Sequence, residues 1–221
     1  MKLISVGNSK LKISQPKRWN RWPRPNARRR GTKVFSTSLP AVHACPGRSP
    51  LCESTCYATP LPRNAGYFRK DREMHERWQA IEADVNAVVE SVEALPRDAW
   101  LRIHASGDFF EPWYVWQWFV ALAMRPDVRA WVYTRSWAVP GFIDELERLR
   151  RLPNVQVFAS VDRTMTAKPP AGWRRAFVVE HAEDAPASAL VCPQQTRAMS
   201  DCVDCGFCPL GTAGDVAFLE H

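Results

Sequence analysis

Residues 100–134, WLRIHASGDFFEPWYVWQWFVALAMRPDVRAWVYT, hold the pattern that decides the fold. Residues 100–105 form an apolar run of strand length, and residues 130–134 form another. Between them Pro112 opens a helix that reaches residue 124, because the fixed φ of proline suits a first helical turn. A strand, a helix and a second strand make a crossover unit, whose strands lie parallel. The alternation continues outward in both directions. Residues 33–39 read as a strand, followed by a Pro- and Cys-rich loop to about residue 63. Residues 71–94 read as one long amphipathic helix, with Met74, Trp78, Ile81, Val85, Val88 and Val92 at three- and four-residue steps. A helix over 141–151 and strands over 155–160, 176–180 and 189–192 complete the pattern. Six strands with helical crossovers predict an α/β chain whose parallel sheet is open or curled into a partial barrel. Residues 1–31 form a basic arm, 32–192 the sheet domain, and 193–221 a small Cys-rich C-terminal appendage.

Composition sets the frame. Of 221 residues, 46% are apolar and 24% charged, which excludes wholesale disorder. No apolar run approaches the ~20 residues of a membrane span, and residues 1–7 are too short in their apolar stretch for a secretory signal. A cytoplasmic protein without a membrane partner is the expectation. The net charge of +7 is unevenly placed: twelve Lys and Arg and no acid precede Glu53, whereas the remainder carries 18 basic against 23 acidic residues. Within the arm, Lys17, Arg18, Arg21 and Arg24 interleave with Trp19 and Trp22. Cations can neutralise phosphates and indoles can stack on unpaired bases, so nucleic acid or a nucleotide is one reading of this segment. A solvated, proline-broken leader whose tryptophans fold back on the body is the other.

The seven cysteines fall into two sets: Cys45, Cys52 and Cys56, then Cys192, Cys202, Cys205 and Cys208. An odd count, the lack of an export signal and the short spacings argue against a disulfide framework and for metal ligation. In the second set, three cysteines at successive three-residue steps plus a distant Cys192-Pro193 resemble the ferredoxin way of holding a 4Fe-4S cluster. Zinc is the alternative for this tail site. Three thiolates in the first set would leave one iron of a cubane open to a further ligand. Two alternatives stand beside that: both sets building a single site, or a zinc held by the three cysteines and His43. The C-terminal ends of the expected strands carry Ser106-Gly107-Asp108, Thr134-Arg135-Ser136, Ser160-Val161-Asp162 and Glu180-His181, so one mouth of the sheet collects the polar and reactive side chains.

Three cysteines after the first strand, Ser106-Gly107-Asp108 at the second and polar ends on the third and fourth resemble the radical S-adenosylmethionine (radical SAM) superfamily. The likeness spans about residues 33–192. It implies a partial (β/α)6 barrel of parallel strands and an open 4Fe-4S cluster on Cys45, Cys52 and Cys56. It also implies S-adenosylmethionine held by Ser106, Gly107, Asp108, Ser160 and Asp162, an electron donor, and radical chemistry on a small-molecule or nucleotide substrate. A second cluster on Cys192, Cys202, Cys205 and Cys208 would relay electrons or bind substrate. The spacing of the first set is six then three residues, where that superfamily has three then two. More narrowly, Gly7-Asn8-Ser9-Lys10, Cys45-Pro46, Cys56-Tyr57-Ala58 and Asp204-Cys205-Gly206 are similar to a family of phage and plasmid gene products, which would place the protein in a host cytoplasm. Two other classes compete with the enzyme: a non-catalytic, metal-stabilised nucleic-acid-binding protein, and a two-cluster redox module without SAM chemistry.

The remaining candidates have plainer readings beside functional ones. His104, alternating with Arg102, is expected to point with it into the barrel, as a core histidine or a proton-transfer group. Arg135, Glu180 and His181 are rim ion pairs or binders of a carboxylate or phosphate. Trp113, Trp116, Trp118 and Phe119 read as packing, and the 145–151 charge run as a solvated helix face.

Overall fold

The computed structural model describes residues 5–6, 32–59, 65–199, 201–211 and 214–220; the arm segment 7–31, with its cations and indoles, lies outside the described residues. Strands β1 (Ser5–Val6), β2 (Val34–Ser36), β3 (Trp100–Ile103), β4 (Arg129–Thr134), β5 (Val155–Asp162), β6 (Arg174–Val179), β7 (Ala189–Val191) and β8 (Asp215–Leu219) form one sheet. Its order is β1-β2-β3-β4-β5-β6-β8-β7. The short β1 is antiparallel to β2, and the other seven are parallel. Because β2 to β6 follow one another in chain order, right-handed crossovers place their helices on a single face.

Those helices are α2 (Ala65–Ala83), α3 (Ala87–Glu93), α4 (Pro112–Met124) and α5 (Ile143–Arg150). Period-2 alternation sends Leu101, Ile103, Ala130, Val132, Val155 and Val157 to meet Val88, Val92, Val115, Leu122, Leu146 and Leu149 in the main core. Each such side chain, fully buried, contributes about 1.5–3 kcal/mol. The opposite face carries Tyr133, Phe158, Ala176, Val216 and Phe218, and the C-terminal segment covers it through Cys192, Phe207 and Cys208.

Three differences from the sequence reading have physical causes. The single helix expected over 71–94 is two, because the chain turns at Asp84, whose carboxylate accepts the Asn86 N–H at 2.9 Å. Val85, counted in the apolar stripe, sits in that turn and is 70% exposed. Second, β8 has no counterpart in the reading and inserts between β6 and β7. Third, β3 stops at Ile103 because His104 takes a left-handed φ of 56°.

That break rotates His104 away from Arg102, so the two do not share a face. His104 is buried in the helix-side core, with Nε2 at 2.9 Å from the Tyr114 hydroxyl and its ring against Phe109 and Trp118. Burial pushes its imidazole from the ordinary 6.5 down to about 3. The unfolded chain therefore takes up a proton that the native state refuses. Stability is full above pH 6.5 and falls as the pH drops from 6.5 toward 3, by roughly 2 kcal/mol at pH 5. Urea midpoints at pH 7 and pH 5 check this. His104→Asn, which tolerates the left-handed backbone and does not titrate, is expected to remove that part of the drop.

Candidate metal and cofactor site

The loop after β2 carries the first cysteine set and is fastened to the carboxyl ends of three strands. Leu39 donates its N–H to the Ser106 carbonyl at 2.9 Å, and the Ser106 hydroxyl donates to the Leu39 carbonyl at 3.1 Å. Gly107, at φ 76°, lets the two segments touch: a Cβ there would lie 2.6 Å from the Leu39 Cβ. The Asp108 N–H donates to the Ala44 carbonyl at 2.9 Å. Its carboxylate accepts the Phe109 N–H at 2.8 Å and the Arg135 N–H at 2.7 Å.

Ser49 then starts the short helix α1 (Pro50–Ser54) as its N-cap, with Pro50 in the first turn. The Ser49 hydroxyl accepts the Cys52 N–H at 3.1 Å and donates to Asp162 at 2.5 Å. The same Asp162 oxygen receives the Arg135 guanidinium at 3.0 Å, and its other oxygen takes the Thr164 N–H and hydroxyl. Burial pushes the Asp162 carboxyl up, but these hydrogen bonds and Arg135 outweigh it and hold the group below its ordinary range. Asp162 and Arg135 are thus one ion pair shared between β4, β5 and the cysteine loop.

None of the seven cysteines is in a disulfide. Burial pushes Cys45 up to about 12, with the Asp108 carboxylate, Cys52 and Cys56 adding to the rise. Cys52 is raised chiefly by burial, further by Cys56, Asp108 and Asp162, and eased by Arg135. The three thiols therefore lie within electrostatic reach of one another, beside Asp108, Arg135 and Asp162. Cys45 and Cys52 therefore stay protonated near neutral pH unless a cation displaces their protons.

The second set is gathered on the opposite face of the sheet. Cys192, Cys202, Cys205 and Cys208 line one cavity of about 90 Å3, together with Arg102, Tyr133 and Tyr57. The one-turn helix α6 (Cys202–Cys205) is capped by Asp201, which accepts the Val203 and Asp204 N–H groups. It ends on Gly206 at φ 68°, which turns the chain back so that Cys208 reaches the same cavity. Burial pushes Cys202 and Cys208 up to about 12, and the neighbouring thiols add to it. Tyr57 comes from the first set's loop, directly after Cys56, and donates its hydroxyl to the Ala105 carbonyl. One residue therefore spans from the trio to the quartet. Among the described residues, no three His, Cys, Asp or Glu side chains form a group able to hold a metal ion as they stand.

The Gene product 88 family matches residues 2–213. The chain belongs to this family. It is 25% identical over 195 residues to the Gene 88 protein of Mycobacterium phage L5, covering 76% of this chain and 79% of that one. It is 26% identical over 133 residues to the Gene 88 protein of Mycobacterium phage D29, covering 54% and 52%. No solved structure matches. Among the described residues, no helix of this Gene product 88 protein is long and apolar enough to cross a membrane.

The Gene product 88 chain thus brings Cys45, Cys52, Cys56, Asp108 and Asp162 together and gathers the four tail cysteines separately. Both carboxylates are engaged by protein donors, which gives them a positioning role for the loop. Ser106 and Gly107 meet Leu39, with the Ser106 hydroxyl also 3.3 Å from the Met74 sulfur. Ser160 is buried within β5, which runs on to Asp162, and its carbonyl accepts the Trp137 indole N–H at 3.1 Å. His43 meets His75 edge-on, with ring centroids 5.2 Å apart. Glu180 and His181 are exposed, and Glu180 pairs with Arg163. Ser49, Tyr57 and Arg102 were not singled out as site residues from the sequence. The Ser49-Pro50 pair, a cap followed by a first-turn proline, was the readable signal for the first of them.

Proposed function

We propose that this Gene product 88 protein is a radical SAM-like iron–sulfur enzyme. In this reading Cys45, Cys52 and Cys56 hold a 4Fe-4S cluster with one open iron, and Cys192, Cys202, Cys205 and Cys208 hold a second. The observation that carries it is the placement of three cysteines within electrostatic reach of one another at the carboxyl ends of parallel strands, beside an Arg135–Asp162 pair. The donor chemistry fits: all-thiol sets suit soft iron–sulfur ligation, and a cubane spreads its thiolates over separate irons instead of closing them on one ion. The tail quartet fits equally, since all four cysteines line one cavity.

The chemistry such groups supply, given S-adenosylmethionine and one electron from an external low-potential donor, is reductive cleavage of a carbon–sulfur bond to start radical chemistry. The chain's own part is positional. Asp162 and Ser49 fix the Cys52 backbone, and Asp108 fixes Ala44, next to Cys45, against Arg135. The Arg135 Nε is buried without a hydrogen-bond partner, leaving a donor beside the trio for a carboxylate such as that of a methionyl group. Tyr57, following Cys56 and lining the tail cavity, makes the tail centre a near neighbour from which an electron can pass.

Anaerobically purified protein tests this. Expected are about eight irons and eight sulfides per chain for two cubanes, a paramagnetic resonance signal with dithionite, and its perturbation by S-adenosylmethionine. Colourless protein with stoichiometric zinc after anaerobic reconstitution overturns the reading.

A further inference from the structure

Arg102 is a half-buried cation on the tail side of the sheet. It lines the tail cavity beside the four cysteines. Its guanidinium carbon lies 5.5 Å from the centre of the Tyr133 ring, and its Nε is buried with no hydrogen-bond partner. Tyr57, Tyr133, Cys202 and Cys208 are its electrostatic neighbours, and no carboxylate is among these four. The contrast with other arginines is clear. Arg135 has Asp162 at 3.0 Å, Arg125 has Asp127 at 2.7 Å, and Arg175 has Asp215 at 2.6 Å. A guanidinium cannot shed its proton to escape burial, so a buried Nε without a partner is costly.

The group that would pay this back is the loaded tail site itself. Four thiolates around a cubane whose core carries +2 leave a net charge of −2, and −3 after reduction by one electron. A fixed cation at the cavity wall stabilises the reduced form more than the oxidised one, because the attraction scales with the product of the charges. Net charge and second-shell groups are the protein's levers on cluster potential. We propose that Arg102 is the counter-ion of the tail iron–sulfur centre, a positioning residue that raises its reduction potential so that the centre can be charged by an external donor. This rests on the reading of the tail quartet as a 4Fe-4S site.

The test is a dithionite-mediator redox titration of the tail centre, followed by paramagnetic resonance in a Cys52→Ala background where the first centre is absent. Arg102→Met is expected to shift the midpoint to a more negative potential. Arg102→Lys, which keeps the charge, is expected to restore most of the shift, and Arg175→Met, whose partner is Asp215, to leave the midpoint unchanged. Should Arg102→Met not accumulate, Arg102→Gln is titrated in its place. Loss of tail iron in both neutral variants, with retention in Arg102→Lys, supports the same role. An Arg102→Met midpoint equal to that of the parent overturns the role of Arg102 while leaving the cluster reading intact. Absence of any iron–sulfur signal from the Cys52→Ala protein overturns the tail reading and this inference with it.

Discussion

Cys52→Ala is expected to reduce 5′-deoxyadenosine formation to background, remove about half of the bound iron for a protein with two cubanes, and leave the tail signal intact. The size of the effect follows from coordination. A trio has no spare ligand, so deleting one thiolate leaves two, too few to retain a cubane that already has one open corner. The selectivity follows from how the loop is held. Cys52 is fixed through its backbone, by the hydrogen bond from its N–H to the Ser49 hydroxyl, and Ser49 is in turn held by Asp162. Alanine preserves both bonds and is well tolerated in a helix, so the loop keeps its course and only the sulfur is lost. Cys205→Ala is the mirror test: the tail signal should go and the open-site signal should stay. If Cys52→Ala binds as much iron as the parent and still cleaves S-adenosylmethionine, Cys52 is not a ligand and the proposed open site is wrong.

What could be read from the sequence tracks how local the determining physics is. The crossover unit was legible because each element declares itself: the apolar runs around Leu101 and Val132 are of strand length, and Pro112 marks a helix start. The two cysteine sets were legible as sets because spacing along the chain is itself the signal. The break at Asp84 was not, since the three- and four-residue spacing runs through it and Val85 keeps the apolar stripe intact on paper while lying exposed in space. The place of β8 was hidden for a different reason. Five residues after the last cysteine carry no information about which two strands they will separate. Alternation alone puts His104 on the face of Arg102, and the left-handed backbone at His104 that ends β3 takes it off that face. At the site, the three strand-end motifs were visible, but not the Ser49–Asp162–Arg135 linkage, whose members are far apart in sequence. That Asp108 and Asp162 are taken up by protein donors is likewise a property of three-dimensional neighbours, and no residue type encodes it.

Gly47→Ala tests the seam between the cysteine loop and β4. A Cβ at Gly47 would lie 2.3 Å from the Arg135 carbonyl oxygen, 2.6 Å from its carbon and 3.0 Å from the Ser136 nitrogen. These are backbone atoms, and they are pinned. The Arg135 carbonyl accepts the Ala138 N–H at 3.0 Å, and the Arg135 N–H is held by Asp108 at 2.7 Å. The strand end cannot retreat, so the loop carrying Cys45 and Cys52 must move outward. The expected cost is about 3 kcal/mol, at the upper end for overpacking, read as a lower urea midpoint. Iron on the first site should fall with it while the tail signal persists, because no tail residue is among the atoms met. Gly172→Ala separates this steric effect from ordinary glycine loss. Gly172 has a left-handed φ of 78° but nothing within 4 Å of its would-be Cβ, so its cost is the backbone strain alone, about 1 kcal/mol. Equal destabilisation by the two substitutions would mean that the loop does not rest on the Arg135 carbonyl, and the fastening of the first cysteine set to β4 would have to be abandoned.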